Sequence, residues 1–293
     1  MALACIHTHT TFCDGNDDIE TFCRAAVRKG LDSLGFSAHA PIRAKTGLDS
    51  EWHLADEKLP EYIEEVLAAK KRWEGKIRVY LGLEVDFISG LMGPADRDYR
   101  EMDLDFIIGA SHYVVPPRGE PFTVDDSLES VSRNIKEAYG GDPAGMLEAF
   151  FDNEGAMIRA GGFDLLAHPD IVKKNNSGAR FFSEDDEYYR NKTAGLAALM
   201  AGAGVPAEVN TGGLNRGKIN DCYPSLAFLR QFRRHGVGMV INADAHTAED
   251  LNGHYEEAMK TMTAAGYTDT LLFCGRQNGR AVWKDEKLYA KFN

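Results

Sequence analysis

Six of the nine histidines in this 293-residue chain fall where an apolar run breaks off. His7 and His9 stand in Ile6-His7-Thr8-His9, His39 in Ser37-Ala38-His39, and His112 after Ser111. His168 stands in Ala167-His168-Pro169 and His246 in Asp244-Ala245-His246. One acid, Glu84, closes Gly82-Leu83-Glu84 in the same way. On a strand, side chains two apart point to the same side. His7 and His9 therefore share a face, and so do Asp244 and His246. Neutral imidazole with carboxylate is the ligand set of zinc, iron or manganese. Such groups at the ends of many strands require a fold that gathers strand ends in one place. They predict one site holding several metal ions, with Asp14 beside it in the turn before Gly15.

The apolar runs are Leu3–Ile6, Ser33–Phe36, Arg78–Leu83, Phe106–Ala110, Phe163–Ala167, Pro206–Val209 and Gly238–Ile241. Helix-period segments separate most of them: Asp18–Lys29, Glu57–Trp73, Leu128–Tyr139, Pro143–Arg159, Asp186–Ala201, Ser225–His235 and Glu256–Ala265. Asp17 and Glu20 have the spacing of a capping box for the first helix, and Gly30 suits its stop. Strand alternating with helix means a parallel sheet and an α/β fold. A (β/α) barrel of one domain over residues 1–293 fits the length, and such barrels build sites at the C-terminal ends of their strands. Two polar stretches, Val115–Pro143 and Val172–Glu187, follow ligand-bearing strands and are expected to wall or cover the site. The tail from Asp269 to Lys284 reads as two short strands around Gly275-Arg276-Gln277-Asn278-Gly279.

A net charge of -12 argues against a nucleic-acid partner, which needs clustered Lys and Arg. The five cysteines form no Cys-x-x-Cys pair, as in a reducing compartment. No apolar run has the length of a membrane span, and the first strand leaves no room for a signal peptide. A cytoplasmic protein with a small-molecule partner is expected. Of the remaining histidines, His53 is a candidate substrate contact, while His235 and His254 read as structural or solvated.

The ordered motifs resemble those of the polymerase-and-histidinol-phosphatase (PHP) family. They are His7-Thr8-His9-Thr10, Ser37-Ala38-His39-Ala40-Pro41, Gly82-Leu83-Glu84, Gly109-Ala110-Ser111-His112, Ala167-His168-Pro169-Asp170 and Asn242-Ala243-Asp244-Ala245-His246. The resemblance implies a distorted (β/α)7 TIM-like barrel with a trinuclear metal centre. It places one ion on His7, His9, Glu84 and Asp244, a second on Glu84, His112 and His168, and a third on Asp14, His39 and His246. Asp14, Glu84 and His246 are expected to act in catalysis. Further stretches, Glu208-Val209-Asn210-Thr211-Gly212-Gly213-Leu214-Asn215-Arg216 among them, resemble the histidinol-phosphate phosphatase branch. That branch often carries an acid soon after the His-x-Pro element. Here Ile42-Arg43-Ala44 follows Pro41, so a contact to the substrate's amine must come from elsewhere, with Glu51, Asp56 and Asp170 as candidates.

The resemblance implies a phosphomonoesterase of histidine biosynthesis, cleaving L-histidinol phosphate by attack of a metal-bridging hydroxide. The metals are zinc, iron or manganese. Arg216 and Arg180 are expected to bind phosphate through the guanidinium fork. Two other readings remain: an enzyme of this family for another small phosphate ester or nucleotide, and a metal-binding regulatory protein without catalysis.

Overall fold

The structure is a computed structural model that describes residues 2–288. Its strands are β1 (Ala4–Cys5), β2 (Ser33–His39), β3 (Arg78–Asp86), β4 (Phe106–Ala110), β5 (Tyr113–Val114), β6 (Phe122–Thr123), β7 (Leu165–Leu166), β8 (Ala207–Asn210), β9 (Met239–Asn242), β10 (Asp269–Gln277) and β11 (Arg280–Lys287). Its helices are α1 (Ile19–Arg28), α2 (Leu59–Arg72), α3 (Arg97–Arg100), α4 (Leu128–Tyr139), α5 (Pro143–Ala160), α6 (Glu187–Ala203), α7 (Gly212–Asn215), α8 (Leu226–His235) and α9 (Tyr255–Ala265).

Seven strands form one parallel sheet in the order β1-β2-β3-β4-β7-β8-β9. The two edges meet just past their strands. Thr8 bridges Ala245 in parallel fashion. His9 N donates to Ala245 O at 2.9 Å and Ala245 N to His7 O at 3.1 Å. The sheet thus closes into the seven-stranded α/β barrel that the sequence predicts, and the histidine-bearing segments that follow β1 and β9 lie side by side.

The predicted strands are present with shifted ends. β2 and β3 run on to His39 and Asp86, so the polar residues that end the apolar runs are still on the ladder. Register sets His39 beside Glu84. β1 and β7 keep only two residues each as regular strand.

Helix α1 starts one residue later than the capping-box spacing implies. Asp18 is the N-cap and accepts from Thr21 N at 2.7 Å. Asp17 turns away and accepts from Ala248 N at 2.8 Å, tying the first loop to the turn that follows β9. Gly30 has φ +73°, as a helix stop requires.

Ile6, Tyr80, Phe106, Ile108, Leu165 and Val240 fill the barrel interior. Gly35 is needed there, because a Cβ would stand 2.9 Å from both Ile6 and the Phe106 ring. The tail forms a hairpin, longer than the sequence reading, that closes the N-terminal mouth. β10 passes through Gly275 by a bulge between Phe273 and Arg276, so the glycine does not end the strand. Asn278 and Gly279, at φ 50° and 75°, make the turn. Phe273 enters the barrel and packs edge-on against Tyr80 at 4.8 Å and Phe106 at 5.4 Å. With this end plugged by apolar side chains, the opposite mouth is the one open to chemistry.

Candidate metal centre

Glu84 lies at the middle of that mouth, 1% exposed, on the last turn of pleat in β3. Its Oε2 is 3.2 Å from His7 Nε2, 3.4 Å from His9 Nε2 and 3.0 Å from His39 Nδ1. Its Oε1 is 3.0 Å from His168 Nε2 and 3.9 Å from His112 Nε2. One carboxylate therefore faces five imidazoles delivered by the ends of β1, β2, β4 and β7. Asp244 Oδ1 closes the circle, 3.3 Å from His9 Nε2 and 3.7 Å from His7 Nε2. Asp14 Oδ2 is 3.0 Å from His246 Nε2, and Asp14 Oδ1 lies 3.7 Å from His39 Nε2 and 3.6 Å from His9 Nδ1. All nine residues singled out as ligands in the sequence are gathered in this one cluster.

Several of these atoms are buried without a hydrogen-bond partner: His7 Nε2, His9 Nε2, His39 Nδ1, Glu84 Oε2 and Asp14 Oδ1. Buried polar atoms are costly when unsatisfied. Here the orphans point at one another across 3–4 Å, the spacing left when a cation bonds to both sides. Burial would raise the Glu84 carboxyl, but His7 and His39 more than reverse it and hold it well below the ordinary range. Burial opposes charge on His7, yet Glu208, Glu84 and Asp244 raise it well above the ordinary value. The cluster is thus built for positive charge. Among the described residues, four overlapping groups of donors, including His7-Glu84-His168 and His9-Asp14-His39-His246, are each compact enough for an ion. The residues fit divalent metals.

A second layer fixes the rings. His7 Nδ1 is 3.0 Å from both oxygens of Glu208, which is fully buried. Glu208 also accepts from His168 N, Asn210 Nδ2 and Asn242 Nδ2 at 3.0, 2.7 and 2.9 Å. Asp86 does the same for His112, with Nδ1 at 2.9 Å from Oδ1. Such partners leave the other ring nitrogen free for a metal. Sequence reasoning did not single out Glu208 or Asp86. The signal was present: Glu84-Val85-Asp86 and Glu208-Val209-Asn210 repeat the period-two spacing of His7-Thr8-His9.

Asp244 has φ 48°, a left-handed conformation that Asp tolerates better than most residues. It turns the carboxylate back over the site. Gly212 makes room for it, since a Cβ there would stand 2.6 Å from Asp244 Oδ2.

A pocket of about 780 Å³ opens above the cluster. Arg216 and Lys218 line one part of it, Asp125 and Asp126 another, and Trp52 a third. The loops after His112 and His168 meet at its rim, as the sequence predicts for walls. Lys174 Nζ pairs with Asp125 Oδ2 at 2.9 Å, and Asn175 Nδ2 donates to Asp126 O at 2.8 Å. Arg180, expected at the phosphate, lies instead on an exposed turn and is not among the lining residues. The loop folds back through Asn176, which bonds to Phe181 N and Phe182 O and carries Arg180 outward. Glu51 and Asp56 are exposed, and Asp170 is buried against Ser225 N and Lys173; none lines the pocket. His53 is buried behind Trp52 on Asp86, away from substrate space. His254 is exposed at the start of α9 and His235 ends α8, in line with the sequence reading.

The chain is similar to the "Probable histidinol-phosphatase" of Deinococcus radiodurans, 28% identical over 263 residues, covering 89% of this chain and 92% of the relative. It is 25% identical over 270 residues to the histidinol-phosphatase of Bacillus subtilis, covering 85% and 96%. It shares its fold with hisK of Listeria monocytogenes, a candidate histidinol phosphatase, at a TM-score of 0.75 and 23% identity over 86% of this chain and 98% of the other. It also shares it with histidinol phosphate phosphatase of Lactococcus lactis, solved with zinc, L-histidinol and phosphate, at 0.67 and 19% over 96% and 98%. Residues 6–212 match the model of the PHP domain, and they span strands β2 to β8 with most of the cluster. The chain belongs to the PHP domain family.

Proposed function

We propose that this protein is a metal-dependent phosphomonoesterase that hydrolyses L-histidinol phosphate to L-histidinol and phosphate. The observation that carries the reading is Glu84, one buried carboxylate between two sets of imidazoles at the floor of a pocket that also holds Arg216. The names of the two relatives support the substrate.

Three divalent ions, zinc, iron or manganese, are assigned to the cluster. His7, His9, Glu84 and Asp244 would hold the first, Glu84, His112 and His168 the second, and Asp14, His39 and His246 the third. Ions held by these residues would supply Lewis-acid chemistry, activating water and polarising phosphoryl oxygens. The catalytic part of Asp14, Glu84 and His246 is to place them. Glu208 and Asp86 orient the rings, so that no reorganisation is needed during the reaction. Arg216, on the pocket wall next to Asp244, faces the phosphoryl group. Asp125 and Asp126, across the pocket, provide the negative charge for the substrate's amine that Arg43 cannot. Arg43 lies over the Tyr99 ring at 4.5 Å and pairs with Asp56 at 2.9 Å.

Steady-state rates on L-histidinol phosphate beside phenyl phosphate and a nucleoside monophosphate test the proposal. The expected kcat/KM is at least about a hundredfold higher for L-histidinol phosphate, the discrimination that a polar pocket supplies. Equal rates across the esters would assign the site to another phosphate ester. No turnover by the metal-loaded protein on any ester would leave it a binding protein.

A further inference from the structure

We propose that His53 and Asp86 are positioning residues that clamp the Trp52 wall of the pocket to the metal-facing ring of His112, so that one buried contact sets both. The inference rests on the metal-centre reading above.

Asp86 is fully buried, and its ion-pair partners among the described residues are two histidines. Oδ1 faces His112 Nδ1 at 2.9 Å and accepts from His112 N at 3.2 Å. Oδ2 faces His53 Nε2 at 2.9 Å. His53 Nδ1 is 2.7 Å from Ser50 Oγ. A carboxylate only accepts, so both imidazoles donate to it. That fixes the direction of every bond in the chain. His112 carries a proton on Nδ1 and turns its Nε2 toward Glu84. His53 carries its proton on Nε2, and its Nδ1 accepts from the Ser50 hydroxyl.

The same histidine holds the loop from Ser50 to Leu54. The Trp52 ring lies 3.7 Å from the His53 ring and stacks on Tyr113 at an interplanar angle of 12°. Its edge meets His39 at 4.6 Å and His112 at 5.4 Å. Trp52 lines the pocket while His53, one residue on, is buried. A histidine filling space could sit in an apolar hole. This one is engaged at both nitrogens, and among the described residues the other hydrogen bonds of its acidic partner go to His112.

The test is zinc retention and kinetics in His53→Phe and His53→Gln. Each protein is dialysed against zinc buffers of graded free concentration, and bound zinc is read by elemental analysis. Phe fills the ring volume but cannot donate to Asp86. His53→Phe should weaken the most labile zinc by about tenfold or more, within the range for loss of a metal's outer partner. It should also raise KM, because the Trp52 wall loses its anchor. Gln places an amide N–H near the former Nε2 and should restore most of both. If His53→Phe does not fold, Asp86→Asn, which removes the charge and keeps the shape, should show the same zinc loss. Zinc binding and KM within twofold of the parent in the folded variants would overturn the proposal, even with a lower melting temperature. A parent that binds no zinc would instead remove the metal-centre reading itself.

Discussion

Arg216 Nη2 donates to Asp244 Oδ2 at 3.0 Å, while Asp244 Oδ1 faces His9 Nε2 at 3.3 Å. The carboxylate is divided: one oxygen serves the cluster and the other is held by the guanidinium. Arg216 Nη1 also reaches Asp244 O at 2.9 Å and His246 Nδ1 at 2.8 Å. On sequence alone, Arg216 is a phosphate contact that leaves the metals untouched. Its place in the structure gives it a second task, steadying two candidate ligands.

The expected consequence is that Arg216→Met lowers both activity and metal content. A loss of kcat/KM of about a hundredfold or more, near 3 kcal/mol, is expected from the missing phosphate contact. The steadying role adds a drop in zinc retained after dialysis. Arg216→Lys should recover only part of each, because a point charge cannot span Asp244 and His246 together. Full metal content in Arg216→Met, measured by elemental analysis, would return the residue to the phosphate alone.

Glu84→Gln should be among the most damaging single changes. The amide keeps the shape but loses the charge between His7, His9 and His39 on one side and His168 on the other. The amide keeps one acceptor oxygen in place of two, and its NH2 group only donates and repels a cation. Turnover should fall by about a thousandfold or more, the scale of losing a charge that stabilises the transition state. Bound metal should fall below the parent's. Near-normal turnover with full metal would show that Glu84 does not hold two ions.

Much of this site was legible because its chemistry is written at period two on the strands. His7-x-His9, Asp244-x-His246 and the isolated Glu84 can share a place only if strand ends converge. Closure of the barrel between Thr8 and Ala245 brings the first and last of them together. What the sequence hid depends on loop paths. Nothing local shows that the chain after His168 folds back at Asn176 and turns Arg180 out to solvent. Likewise His53 looks like a loop residue until β3 is seen to extend to Asp86 and receive it. Glu208 needs the neighbouring strands in register before its contacts to His7 and Asn242 exist.

Zinc uptake should release protons. The carboxylates raise His7 well above its ordinary value, and although burial opposes it, Asp86 raises His112 to about 10. At neutral pH the metal-free His7 and His112 rings therefore hold protons that an ion must displace. Apparent zinc affinity should rise as pH rises from 6 toward 8, since fewer protons compete. Calorimetric titrations in two buffers of different ionisation enthalpy read the number released. Identical heats in both buffers would contradict this.

Glu154 offers a test of stability that is separate from the metals. It lies on α5, is fully buried, and neither carboxylate oxygen has a hydrogen-bond partner. Burial is the main cause that pushes it well above its ordinary 4.5; His112 opposes weakly and Asp170 adds to the rise. The sign follows from proton counting. Below the ordinary value, folded and unfolded chains both hold the proton, and Glu154 has no pH-dependent effect. Above it, the unfolded chain releases the proton while the folded chain keeps it, so stability is lost with rising pH up to the folded value. Glu154→Gln has nearly the same shape and ionises in neither state. The variant should match the parent's melting temperature near pH 5 and exceed it near pH 8. Each 1 kcal/mol recovered should appear as about 2–4 °C. Both proteins are compared with saturating zinc, so that metal loss cancels. A melting difference that stays constant from pH 5 to pH 8 would mean that Glu154 is ionised in the folded protein, with a partner for its charge.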